Sequence, residues 1–149
     1  MKYRRLGSSG LKLSAIGIGS WLTYGMGIDD KTALNCLKTA LEQGIIFFDT
    51  ADIYNKGEAE KTLGKALFKE IDVKREDVVI ASKCFWPMSP NPNDRGLSRK
   101  HIVESVHRSL KRLKTDYIDL YQCHRHDTET PMEEICRAFN DLIQQGKLL

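Results

Sequence analysis

Four side chains of complementary type could together deliver a proton to a carbonyl oxygen: Asp49, Tyr54, Lys83 and His124. A phenol is a poor acid near neutral pH, but an adjacent ammonium favours its phenolate form. A carboxylate can pair with and orient that ammonium, and an imidazole can polarise or position a carbonyl. Such a set protonates the alkoxide that develops as a hydride reaches the carbonyl carbon. Taken singly, each residue has a plainer reading. Asp49 and Lys83 alone could be a structural ion pair, Tyr54 a surface-loop aromatic, and Trp21 a core or lid side chain. It is the combination that points to chemistry.

These groups are useful only if the chain aims them at one place, and its patterning supplies the means. Apolar runs alternate with amphipathic stretches, each pair reading as one β/α unit. A short hairpin is predicted first, with Tyr3 to Leu6 and Leu11 to Leu13 flanking Gly7-Ser8-Ser9-Gly10. The first strand is Ala15 to Gly19, and its helix follows Asp29 and Asp30 with Ala33, Leu34, Leu37, Ala40 and Leu41 on one face, ending at Gly44. The second strand, Ile45 to Asp49, is apolar without alternation, as suits a strand covered on both faces, and precedes a helix bearing Ala59, Leu63, Ala66 and Leu67. The third, Val78 to Lys83, leads through a loop from Pro87 to Gly96 into a helix capped by Ser98 and carrying Ile102, Val103, Val106, Leu110 and Leu113. The fourth runs from Tyr117 to about His124. Thr130-Pro131-Met132-Glu133 reads as a capping box opening a helix that buries Ile135, Ala138, Phe139, Leu142 and Ile143, and Lys147-Leu148-Leu149 begins a fifth strand.

Consecutive β/α units joined by short right-handed crossovers dictate a parallel sheet. Asp49, Lys83 and His124 then fall at the C-terminal ends of successive strands, the rim where β/α barrels gather catalytic groups. Strand parity places Phe47 with Asp49, Ala81 with Lys83, and Gln122 with His124 on one inward face, together with Ile18 from the first strand. Tyr54, five residues beyond Asp49 in the sequence, can fold back over the same rim. An open doubly wound sheet is disfavoured, because Gly17-Ile18-Gly19-Ser20-Trp21-Leu22 lacks the third glycine of a dinucleotide fingerprint and puts a bulky indole at the phosphate position.

Composition narrows the function classes. A net charge of +3, with basic residues dispersed along the chain, does not indicate a nucleic-acid partner, and the basic stretch His107 to Lys114 reads as a solvated helix face. Cys36, Cys84, Cys123 and Cys136 form no Cys-x-x-Cys pair, which fits reduced thiols and a cytoplasmic setting. No signal peptide or membrane-spanning apolar run is present, so membrane insertion is not expected. Cys123, His124 and His126 lack a distant ligand set of usual spacing, so no metal site is expected and His126 should face solvent.

Several motifs together resemble the aldo-keto reductase family over essentially the whole chain. Tyr3-Arg4-Arg5-Leu6-Gly7-Ser8-Ser9-Gly10-Leu11-Lys12-Leu13-Ser14 resembles its N-terminal hairpin, and Phe48-Asp49-Thr50-Ala51-Asp52-Ile53-Tyr54 its aspartate-tyrosine motif. Ala81-Ser82-Lys83 and Leu120-Tyr121-Gln122-Cys123-His124 resemble the segments that carry the family's lysine and histidine. Gly19-Ser20-Trp21-Leu22-Thr23-Tyr24-Gly25 leans towards the branch containing potassium-channel beta subunits and related bacterial reductases. The resemblance implies NADPH-dependent reduction of aldehydes or ketones, with Tyr54 as general acid, Lys83 favouring its phenolate, Asp49 pairing Lys83 and His124 orienting a small carbonyl substrate. It also implies that Gly19, Ser20, Trp21 and Asp49 lie near the nicotinamide and ribose of the cofactor, while most cofactor contacts come from strands five to eight of an eight-stranded barrel.

The expected fold is therefore α/β: the N-terminal half of a TIM (β/α)8 barrel in which a hairpin over 1–14 precedes β/α units over 15–149, as one incomplete barrel domain. A complete barrel takes about 250 residues. The expectation is a truncated form with weak or no activity alone, able to self-associate through open sheet edges. The alternative is a non-enzymatic half-barrel that serves as an interaction or regulatory subunit.

Overall fold

A computed structural model describes residues 1–149. The hairpin pairs β1 (Tyr3–Arg5) with β2 (Lys12–Ser14), Tyr3 lying opposite Ser14, and Gly7 takes the left-handed conformation at its turn. It is fastened to the body at two points. The Tyr3 hydroxyl donates to the Gly44 carbonyl at 3.0 Å, and the Ser14 hydroxyl accepts from the Ile46 and Phe47 amides at 3.2 and 3.3 Å.

Behind the hairpin, β3 (Gly17–Gly19), β4 (Phe47–Asp49), β5 (Val79–Cys84) and β6 (Leu120–Cys123) form a parallel sheet in that order. The crossovers are α1 (Asp30–Glu42), α2 (Glu58–Lys65) and α3 (Arg99–Leu113), and α4 (Met132–Gln144) follows β6. Local chemistry sets the helix ends. The Asp29 carboxylate accepts from the Thr32 amide at 2.7 Å to cap α1, and the Ser98 hydroxyl accepts from the His101 amide at 3.2 Å to cap α3. Gly44, at φ 76°, supplies the left-handed turn beyond α1. The last turns of α2 widen into π-helix over Ala66–Ile71. Past α4 the fifth strand begins as expected: the Ile118 amide donates to Lys147 at 3.0 Å, and the Leu149 amide returns a bond to Ile118 at 3.2 Å.

Register divides the sheet into two faces. Ile18, Phe48 and Ile80 are aligned, as are Ser82 with Tyr121 and Cys84 with Cys123; Phe48, Ile80, Cys84 and Tyr121 join Leu37, Leu63, Ile102, Val106 and Leu142 in the core beneath the helices. The other face carries Gly19, Asp49, Ala81 and Leu120 in one row and Lys83 with Gln122 in the next.

Four expectations are corrected. Ile18 belongs to the helix-covered face, because a residue aligned with Phe48 must point the way Phe48 does. Ile143 is 47% exposed, on the flank of α4 away from the buried Ile135, Ala138 and Leu142. Pro131 precedes α4 with no capping side chain, since the Thr130 hydroxyl donates instead to Asp127 at 2.8 Å. The basic stretch in α3 is not wholly solvated: the Arg112 side chain is 13% exposed and pairs at 2.6 Å with a fully buried Glu60. No helix is long and apolar enough to cross a membrane.

Candidate active site

At the C-terminal ends of β4 and β5, Asp49 and Lys83 meet on the face opposite the helices. The Lys83 Nζ donates to Asp49 Oδ2 at 2.6 Å and to the Thr50 carbonyl at 2.8 Å, and lies 3.5 Å from the Tyr54 hydroxyl. With side chains 13% and 33% exposed, the Lys83–Asp49 pair is only partly screened by water. Two firm contacts hold the ammonium still, leaving its third donor direction for the phenol.

Tyr54 reaches this point by unusual backbone. Asn55, Lys56 and Gly57 take φ of 47°, 50° and 93°, a left-handed run that turns the chain sharply before α2. The Asn55 side-chain Nδ2 donates to the Gly25 carbonyl, tying this turn to the loop after β3, and a side chain at Gly57 would collide with Arg112. The sequence reading placed Tyr54 in a loop without recognising this device. Its signal lies in Asn55-Lys56-Gly57, since Asn and Gly are the residues that best tolerate left-handed backbone.

His124 follows β6, its amide continuing the ladder to the Cys84 carbonyl at 3.0 Å. Its ring sits edge-on to Tyr54, with centroids 5.7 Å apart, and Trp21 stacks on the other side of the phenol at 6.2 Å. Burial, then the Lys83 and Arg125 cations, hold the imidazole below its ordinary pKa, so it is neutral at pH 7. All four predicted chemical residues are therefore brought together.

Above the phenol opens a cleft of about 390 Å3, walled by Trp21, Leu22, Met26 and Trp86 and reaching His124 and Arg125. Trp86 and Arg125 were not anticipated; each lies two residues beyond the end of its strand, β5 at Cys84 and β6 at Cys123, where a barrel rim would place them. Of the predicted cofactor residues, Ser20 lines the cleft and its amide donates to the Asp49 carbonyl at 3.0 Å, while Trp21 is 65% exposed. The buried hydroxyls of Ser20 and Thr50 and the buried Nδ1 of His124 have no partner within the chain. Of these residues Ser20 and His124 line the cleft with the exposed indole, and such unpaired polar groups fit the carboxamide and flat ring of a nicotinamide. No group of three or more His, Cys, Asp or Glu side chains is placed to hold a metal ion.

Behind the rim, on the helix side, lies a buried polar cluster that sequence reading missed. Glu60 accepts from the Ser82 hydroxyl and from Arg112, both at 2.6 Å. Asp52, 1% exposed, has no partner for either carboxylate oxygen, and its amide donates to the Lys83 carbonyl at 3.1 Å. Desolvation, then repulsion from Glu60, pushes its carboxyl up to about 7.

A parallel β/α sheet whose strand ends converge on a lysine, a carboxylate, a phenol and an imidazole defines a class of barrel-rim proteins. Comparison with known proteins makes this specific: residues 15–149 match the model of the aldo/keto reductase family, and the chain belongs to that family. Its fold is accordingly part of the family's TIM barrel. The chain is similar to a "Probable voltage-gated potassium channel subunit beta" of Arabidopsis thaliana, 48% identical over 146 residues, covering 98% of this chain and 44% of that protein. A protein of the same description from Oryza sativa subsp. japonica is 46% identical over the same shares of each chain. The chain thus spans less than half the length of these relatives.

Proposed function

We propose that this chain carries the proton-donating part of an NADPH-dependent carbonyl-reducing site, in which an aldehyde or ketone becomes an alcohol. The observation that carries the reading is the position of the Lys83 ammonium, held by Asp49 and Thr50 and 3.5 Å from the Tyr54 hydroxyl. A bound nicotinamide supplies the hydride that reaches the carbonyl carbon. Tyr54 donates its proton to the oxygen, and the ammonium offsets the negative charge left on the phenol until solvent reprotonates it. The neutral imidazole of His124, beside the phenol, orients the carbonyl. Gly19, Ser20, Trp21 and Asp49 are the residues that would hold the nicotinamide end of the cofactor. Family membership supports a nicotinamide cofactor. The four free thiols support a reducing cytoplasmic setting.

NADPH consumption with an aromatic aldehyde tests the reading: the chain turns over slowly, and Tyr54→Phe lowers the rate by about 100-fold or more. A variant as fast as the parent would refute Tyr54 as the acid.

The channel-subunit descriptions of the relatives support a second reading, a non-enzymatic half-barrel that pairs its open sheet edges with a partner subunit or a second copy. Sedimentation at micromolar concentration separates the two: a strict monomer counts against edge pairing.

A further inference from the structure

The cleft above Tyr54 is apolar along its walls and charged at one end. Trp21, Leu22, Met26 and Trp86 are all large exposed hydrophobics. Among the residues that line it, Arg125 alone bears a formal charge when His124 is neutral. The neighbouring Lys83 charge is matched by Asp49 at 2.6 Å, whereas Arg125 forms no ion pair with any carboxylate of the chain. Its guanidinium is nonetheless oriented. Nη1 donates to the His124 carbonyl at 2.9 Å, and the guanidinium carbon lies 5.6 Å from the centre of the Trp86 ring.

We propose that this cleft selects aromatic carbonyl compounds bearing a carboxylate, and that Arg125 is the residue that recognises the carboxylate. The inference rests on the reductase reading for the reacting end of the molecule. A planar guanidinium presents a donor fork that matches the two oxygens of a carboxylate, and its backbone bond and stacking leave less motion to lose on binding. The exposed faces of Trp21 and Trp86 give a flat ring apolar surface to cover, which a small aliphatic aldehyde would leave wet. A neutral substrate would gain the ring contact and leave the cation facing water alone.

Both tryptophans of the chain line this cleft, so intrinsic fluorescence reports on it directly. The full chain is titrated with para-hydroxymethylbenzoate and with its uncharged amide, product-like alcohols that need no hydride transfer to bind. The benzoate should bind about three- to tenfold more tightly than the amide to the parent chain. In Arg125→Gln that preference should fall below about twofold, with the amide's affinity unchanged. Repeating the titration with saturating NADPH distinguishes a substrate carboxylate from a cofactor phosphate as the anion on Arg125, since the benzoate preference should persist. Equal affinities in the parent, a preference that survives in Arg125→Gln, loss of the preference with NADPH, or no saturable quenching at all would overturn the inference. A chain that keeps the preference yet reduces no aldehyde loses only the reductase reading; one that reduces aldehydes without distinguishing the two ligands loses only this inference.

Discussion

Phe47 and Phe48 are adjacent and identical in type, yet they serve opposite faces of one sheet. Phe48 is fully buried beneath the helices with Ile80 and Leu63. Phe47 is half-buried on the other face, its ring lying over Gly17, whose lack of a side chain makes room for it. The same division holds one strand over. Ser82 points to the helix side and bonds to buried Glu60, while Lys83 points away and holds Asp49. One face is packed, its buried Glu60 paired with Arg112 and only the Asp52 carboxylate left without a partner for its charge. The other ends in partly exposed charged and aromatic groups, with unpaired polar atoms beside them. Stability and chemistry are thus separated by strand parity, within single residues of each other.

Substitutions on the two faces can break or sharpen this contrast. Phe48→Ala should cost about 3–5 kcal/mol of unfolding free energy by chemical denaturation, since a large cavity opens in the core. Phe47→Ala should cost about 1–2 kcal/mol, because part of that ring already meets water. Equal losses would erase the distinction. Arg112→Met strands the buried Glu60 carboxylate and should cost about 3 kcal/mol, part of which Glu60→Leu in the same chain should restore.

Acidity offers a finer probe of the packed face. The Asp52 carboxyl is raised by burial to about 7, so the folded state holds its proton more tightly than the unfolded chain does. Its contribution is complete below the ordinary carboxyl value of 3.8 and is lost as pH rises through about 7. Parent minus Asp52→Asn stability should therefore fall by about 4 kcal/mol between pH 4 and pH 8. A flat difference, or one that rises with pH, would contradict this burial.

The smallest effect lies on the open face. Lys83 is a secondary cause of the low His124 pKa, after burial, so Lys83→Met should move the His124 titration modestly upward, measured by NMR. An unmoved titration would separate the two side chains electrically.

The convergence of Asp49, Lys83 and His124 was legible because strand parity and strand ends are periodic features of sequence, whereas Tyr54 was legible only as a loop residue within reach of them. So were the caps at Asp29 and Ser98, which depend only on local spacing. What escaped was non-local. Nothing in α3 alone marks Arg112 as the partner of Glu60, since that pairing depends on how α2 and α3 pack. Ile18 was assigned to the wrong face because glycines flank it, and an apolar residue between glycines carries no alternation to read. Thr130 had the right spacing for a cap, but a nearer carboxylate, Asp127, took its hydroxyl.

The most direct test measures two quantities on Lys83→Met: the rate of NADPH-dependent aldehyde reduction and the denaturation midpoint. If the open face holds the chemistry and the packed face the stability, reduction drops by about 100-fold or more while the free energy of unfolding changes by less than about 1 kcal/mol. A variant that reduces aldehydes at the parent rate, or that loses as much stability as Arg112→Met, would contradict the separation.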